Sequence, residues 1–162
     1  MTARSQTLAV RLATPNDVPL ITCHRRAMYE DMGHSDRAAL DEVVERFAEW
    51  VRGRIERGEY RGWFVTADNG DVIAGAGVWL QSNPANPRDR SPRRAYVMNV
   101  YTRPEYRRRG YARHLMATIL QWCREQNIRT VALHSSDNGR ALYESLGFRP
   151  TNEMRILLPP AE

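Results

Sequence analysis

The sequence predicts a mixed α/β fold in a single domain over residues 1–162, and three observations carry that reading. A chain of 162 residues is long enough to bury one proper core and short for two. Two β-prone runs flank Asn69-Gly70, the pair that best tolerates a tight hairpin turn. An apolar run over residues 95–102 enters a basic turn containing Pro104 and Gly110, and a helix-patterned run over residues 111–125 leaves it. The composition, 42% hydrophobic and 27% charged, is that of an ordinary globular protein.

Residues 8–12 alternate apolar and other side chains and form a first strand. Thr14 then caps a helix with Pro15 at its first position and the Asp17 carboxylate in its first turn. That helix runs to about Met32, where Gly33 ends it. A second helix starts at Ser35 or Asp36 and carries Leu40, Val43, Val44, Phe47, Trp50 and Val51 at helical spacing, with Gly53 and Gly58 weakening its end. Residues 63–74 form a hairpin with a type I′ turn at Asn69-Gly70. Its second strand continues through Leu80, and Gly75-Ala76-Gly77 there admit close approach by a chain or ligand, or pack beneath a helix.

Residues 81–94, with Pro84, Pro87, Pro92 and four arginines, read as a long surface loop between adjacent antiparallel strands. The strand over 95–102 follows, then the helix over 111–125 with Leu115, Met116, Ile119, Leu120 and Cys123 facing inward. Asn127 ends that helix before a strand over 128–133. A short helix from Ser136 to Leu146 is closed by Gly147, and a last strand over 153–158 stops at Pro159-Pro160.

The net charge of +5 and pI near 9.7 fit either nucleic acid or an anionic small molecule. The chain has no lysine, so every fixed cation is an arginine and any one arginine cluster carries less meaning. A basic nucleic-acid-binding module, with Arg93, Arg94 and Arg107 to Arg109 on phosphates, is therefore an alternative, although no helix-turn-helix, RNP or zinc signature accompanies it. Residues 1–6 lack an apolar signal region and no run reaches membrane-spanning length, which implies a cytoplasmic protein. Cys23 and Cys123 lack metal-type spacing and read as buried reduced thiols; no metal is expected.

The basic turn Arg107-Arg108-Arg109-Gly110-Tyr111-Ala112-Arg113 opens a helix. Helix N-termini present unpaired N–H groups and the positive end of the helix dipole, so they suit phosphate. Arg107-x-x-Gly110-x-Ala112, after a strand ending in Pro104-Glu105-Tyr106, resembles the Gln/Arg-x-x-Gly-x-Gly/Ala signature of the GCN5-related N-acetyltransferase (GNAT) family. Ala141-Leu142-Tyr143-Glu144-Ser145-Leu146-Gly147-Phe148 resembles the family's C-terminal element. The resemblance spans residues 8–158. It implies a mostly antiparallel sheet splayed between strands four and five and flanked by helices.

The resemblance also implies an activity, direct acetyl transfer from acetyl-CoA to an amine acceptor. Arg107 to Arg113 would cradle the pyrophosphate, and the main chain at Val100, Tyr101 and Thr102 would bond pantetheine, with a backbone N–H near Val100 on the developing oxyanion. Tyr143 would act as general acid toward the departing thiolate. The family's asparagine seven residues before that tyrosine is Ser136 here, whose hydroxyl could make a similar bond. The family's occasional fifth-strand glutamate is replaced by Val131, so Glu30, Asp31, His134 or water stand as candidate bases. Glu30 and Asp31 favour a cationic acceptor, whereas Arg25, Arg26, Arg88, Arg90, Arg93 and Arg94 favour one with a carboxylate or phosphate. An acyl-CoA-binding sensor without turnover is the alternative on the same fold. The final strand and a tryptophan-bearing helix would offer surfaces for a homodimer.

Overall fold

The computed structural model describes residues 8–161. In chain order the elements are β1 (Ala9–Leu12), α1 (Val18–Asp31), α2 (Arg37–Glu56), β2 (Tyr60–Thr66), β3 (Val72–Ser82), β4 (Arg93–Thr102), α3 (Tyr111–Glu125), β5 (Val131–Leu133) and α4 (Arg140–Ser145). The strands lie side by side in sequence order. Strands β1 to β4 are antiparallel, and β5 runs parallel to β4 after the α3 crossover.

Alternation along the strands sends side chains to two cores. Trp63, Val65, Ala76, Val78 and Val97 pack against Leu115, Met116, Ile119 and Cys123 of α3. On the other face Tyr60 and Phe64 meet Val18 and Ile21 of α1 and Phe47 and Val51 of α2. Each such side chain, fully buried, contributes about 1.5–3 kcal/mol. The helix ends follow local chemistry. Asp36 Oδ1 accepts from Ala39 N at 3.1 Å to cap α2, and Asn127 takes φ +56 to end α3. Pro15–Asp17 form a 3-10 turn, in which Asp17 Oδ2 accepts from Thr14 N at 2.8 Å before α1 begins.

Several elements differ from the sequence reading. Gly70 has φ +86 but Asn69 is not left-handed, and Gly70 N donates to Ala67 O at 2.9 Å. A type I′ turn needs positive φ at both central residues, so this is a longer loop closed by one left-handed glycine. The fifth strand is confined to Val131–Leu133. The expected last strand over 153–158 does not form, because a strand needs a partner edge and the three residues of β5 offer little of one. Met154 and Leu157 are accordingly 94% exposed, and this segment presents no strand edge. Cys123 is buried as expected, but Cys23 is exposed on the outer side of α1.

The connection over 83–92 is a surface loop that folds around a buried acid. Asp89 accepts from Ser91 N at 2.9 Å and from the Thr130 hydroxyl at 2.6 Å, which ties the loop to the start of β5. Among the described residues no helix is long and apolar enough to cross a membrane. The signal-region reading of residues 1–6 lies outside the described residues.

Candidate active site

The site begins with an irregularity in β4. Gly77 pairs with Met98 and Gly75 with Tyr101, so β4 carries one more residue than β3 across this interval. The extra residue makes a bulge, and Asn99 there has φ +57, a conformation that asparagine tolerates better than most residues. Beyond the bulge the sheet opens. Strand β5 pairs only with Ala95, Tyr96 and Val97, so among the described residues positions 98–102 of β4 have no strand neighbour on that side.

That opening leads through a turn at Pro104–Tyr106 to the start of α3. Gly110, with φ +84, occupies the cap position, and no side chain caps the helix. An added Cβ would meet nothing within 4 Å, so it is the backbone conformation that calls for glycine. The first helical bond runs from His114 N to Gly110 O at 3.0 Å. The amides of Tyr111, Ala112 and Arg113 thus have no partner within the helix.

The arginines before the helix differ in what they touch. Arg107 Nε donates to Thr102 O at 2.9 Å, and its guanidinium is ion-paired with Asp31 at the end of α1. Arg109 lies 5.5 Å over the Tyr106 ring. Arg108 has φ +63 and is exposed. Arg113 reaches across to α4 and donates to Ser145 Oγ at 2.7 Å.

Tyr143 on α4 packs edge-on to Phe148, with ring centroids 6.0 Å apart. Burial raises its phenol above the ordinary value of 10, so the hydroxyl keeps its proton at neutral pH. Ser136 is close by: a Cβ added at Gly139 would lie 2.9 Å from Tyr143 Cε2 and 3.3 Å from Ser136 Oγ. The Ser136 hydroxyl accepts from Gly139 N at 3.2 Å and so braces the turn that enters α4.

The candidate bases are all engaged. Glu30 accepts from Arg26 Nε at 3.0 Å, and Arg26 also holds Asp41 on α2. Asp31 pairs with Arg107. His134 bonds the Tyr96 hydroxyl through Nδ1 and contacts Arg155 through Nε2.

Sequence reasoning missed a buried polar network beneath the bulge. Asn99 Nδ2 donates to the Tyr60 hydroxyl at 3.0 Å, and Asn99 Oδ1 accepts from Arg25 at 2.8 Å. Arg25 also donates to the Tyr29 hydroxyl at 2.8 Å. Burial pushes the Tyr60 phenol up to about 12. His24 lies alongside, 4.9 Å from the Tyr101 ring, and burial with the nearby Arg103 charge takes its imidazole down to about 4. Gly75 and Gly77 serve these side chains: a Cβ at 75 would sit 2.9 Å from His24 Nδ1, and one at 77 would sit 1.9 Å from the Tyr60 hydroxyl. The small residues of β3 therefore admit intramolecular side chains. The available signal was an asparagine in an apolar strand opposite alternating glycines.

Residues 25–148 match the acetyltransferase (GNAT) family. The chain belongs to this family. The GCN5-related N-acetyltransferase from Ralstonia eutropha JMP134 is 30% identical, with TM-score 0.87 over 93% of this chain and 98% of that one. A predicted acetyltransferase from Clostridium acetobutylicum, solved with acetyl-CoA, is 24% identical and shares the fold, with TM-score 0.83 over 94% of this chain and 96% of that one. The N-acetyltransferase YycN of Bacillus subtilis is 25% identical over 65% of this chain and 66% of its own length, just under two thirds.

Proposed function

We propose that the protein is an acetyl-CoA-dependent N-acetyltransferase that moves an acetyl group to a primary amine by direct attack in a ternary complex. One observation carries the reading. The gap beside residues 98–102 of β4 runs directly into the uncapped, glycine-led N-terminus of α3.

The residues fit the cosubstrate. The free amides of Tyr111, Ala112 and Arg113, the helix dipole and the left-handed Gly110 suit a pyrophosphate, with Arg108 and Arg109 supplying positive charge around it. Arg107, neutralised by Asp31, shapes the turn from beneath rather than adding net charge. The main chain of Val100, Tyr101 and Thr102 is the seat for the pantetheine arm, although Thr102 O is already occupied by Arg107 Nε. Ser136 stands beside Tyr143 at the entry to α4 and is the residue assigned to the arm's polar contact there.

Acetyl-CoA supplies a thioester whose acyl carbon is open to an amine lone pair. The protein's part is to hold that amine against β4, to supply a donor at the bulge, and to return a proton to sulfur. Tyr143, protonated at neutral pH, is the general acid. Because Glu30, Asp31 and His134 are each engaged by neighbours, water is assigned the removal of the amine proton.

Thermal unfolding with and without acetyl-CoA, beside Gly110→Asp, tests the reading. A ligand at a hundred times its dissociation constant stabilises the native state by about 2.7 kcal/mol. The shift is expected in the wild type and not in the variant, which strains φ +84 and sets a carboxylate against the phosphate. Thiol release with an amine panel then reads turnover. No shift in the wild type would overturn the assignment.

A further inference from the structure

The charges around α1 bear on the acceptor question that composition leaves open. Glu30 is held by Arg26, which also holds Asp41, and Asp31 is paired with Arg107. Each acid near the end of α1 therefore already has a countercharge and offers little to a cationic ligand.

Arg25 is in the opposite condition. Its guanidinium is part-buried, 4.2 Å over the Phe47 ring and 5.1 Å over the Tyr29 ring. One terminal nitrogen donates to Asn99 Oδ1 and the other to the Tyr29 hydroxyl, both at 2.8 Å, while Nε is buried with no partner. Among the described residues no carboxylate lies within ion-pair distance of it. Its partners are the Asn99 amide and the Tyr29 hydroxyl rather than a carboxylate, and Tyr60, bonded to the same Asn99, keeps its proton.

A guanidinium drawn out of water without a countercharge is costly, and a second ion relieves that cost. Its two terminal nitrogens each keep an unspent N–H, and charge-assisted bonds from a planar guanidinium to a carboxylate are among the strongest in proteins. Arg25 is also in the right place, since it is bonded to the bulge residue itself. We propose that Arg25 is an acceptor clamp: the amine to be acetylated belongs to a molecule that also carries a carboxylate, and this carboxylate pairs with Arg25 beside the β4 bulge. The inference rests on the N-acetyltransferase reading. An amino acid meets the requirement, because its amine and carboxylate are separated by a single carbon.

The test compares the protein amino acids with their primary amides as acceptors, on wild type, Arg25→Gln and Arg25→Lys. In wild type the acids should exceed their amides at least tenfold in kcat/KM. In Arg25→Gln the acids should fall at least tenfold while the amides hold, and Arg25→Lys should recover part of the preference. Melting curves on both variants check that the fold persists. Acetyl-CoA stabilisation, measured in parallel, separates the two readings. If acetyl-CoA fails to bind, the transferase reading falls, and ligand-observed NMR of the same acid and amide pairs still reads the clamp. Equal use or equal binding of acids and amides would overturn the clamp. So would the absence of any acid binding, a preference for spermidine, or an Arg25→Gln protein that still discriminates as wild type does.

Discussion

The Tyr60 hydroxyl reaches across β3 to accept from Asn99 Nδ2 at 3.0 Å, and it crosses over Gly77, one of the two glycines of β3. This hydrogen bond thus ties β2 to β4 over β3, beneath the bulge. Gly77→Ala would place a methyl 1.9 Å from that oxygen and displace a ring that is 4% exposed. Overpacking of this kind costs about 3 kcal/mol. Urea unfolding should show the loss, and Gly77→Ala with Tyr60→Phe together should cost less than the sum of the two.

Tyr143→Phe keeps the ring that packs on Phe148 and removes only the hydroxyl. If the phenol returns the proton, kcat should fall about a hundredfold or more while acetyl-CoA still raises the melting temperature. Unchanged turnover would remove Tyr143 from the chemistry, and intact acetyl-CoA binding without turnover in wild type would favour a sensor.

The His24 imidazole, taken down to about 4 from an ordinary 6.5, is neutral in the fold throughout the physiological range. Below pH 6.5 the unfolded chain takes up a proton that the native state refuses. This group's stabilisation is therefore full above 6.5 and is lost as pH falls toward 4. An NMR titration of the His24 ring should give a midpoint near 4, and one near 6.5 would show a hydrated ring.

Asp89 adds an acid-side dependence of its own. Hydrogen bonds from Ser91 and Thr130 hold its carboxyl at about 2, below the ordinary 3.8. A depressed carboxyl stabilises the fold above its unfolded value and loses that effect as pH drops from 3.8 toward 2. The melting-temperature gap between wild type and Asp89→Asn should be constant above pH 5 and should close across that window.

How much could be read without the structure depended on the range of the interaction. The α3 helix was legible over residues 111–125, because apolar spacing, Gly110 and Asn127 are local signals. The order of elements up to α4 followed for the same reason. The strand over 153–158 looked as convincing, but its formation depends on a distant edge that β5 does not supply. Gly110 and Tyr143 were legible as motif positions. The pairing of Asp31 with Arg107, 76 positions apart, left no mark on the sequence, nor did the bond from Arg25 to Asn99, 74 apart. These contacts decide which charges near α1 are already paired.

The bond from Arg113 to Ser145 joins the first turn of α3 to the helix that carries Tyr143. Ser145 Oγ donates in turn to Leu142 O at 2.6 Å, which locks the strap onto the backbone of α4. The N-terminus of α3 and the helix that carries Tyr143 are thereby mechanically joined. An anion that drew the Arg113 guanidinium away from Ser145 would loosen α4, and by reciprocity whatever steadied α4 would change the hold on that anion. If acetyl-CoA and Tyr143 act as proposed, release of the spent carrier and resetting of the proton donor are coupled through this one strap.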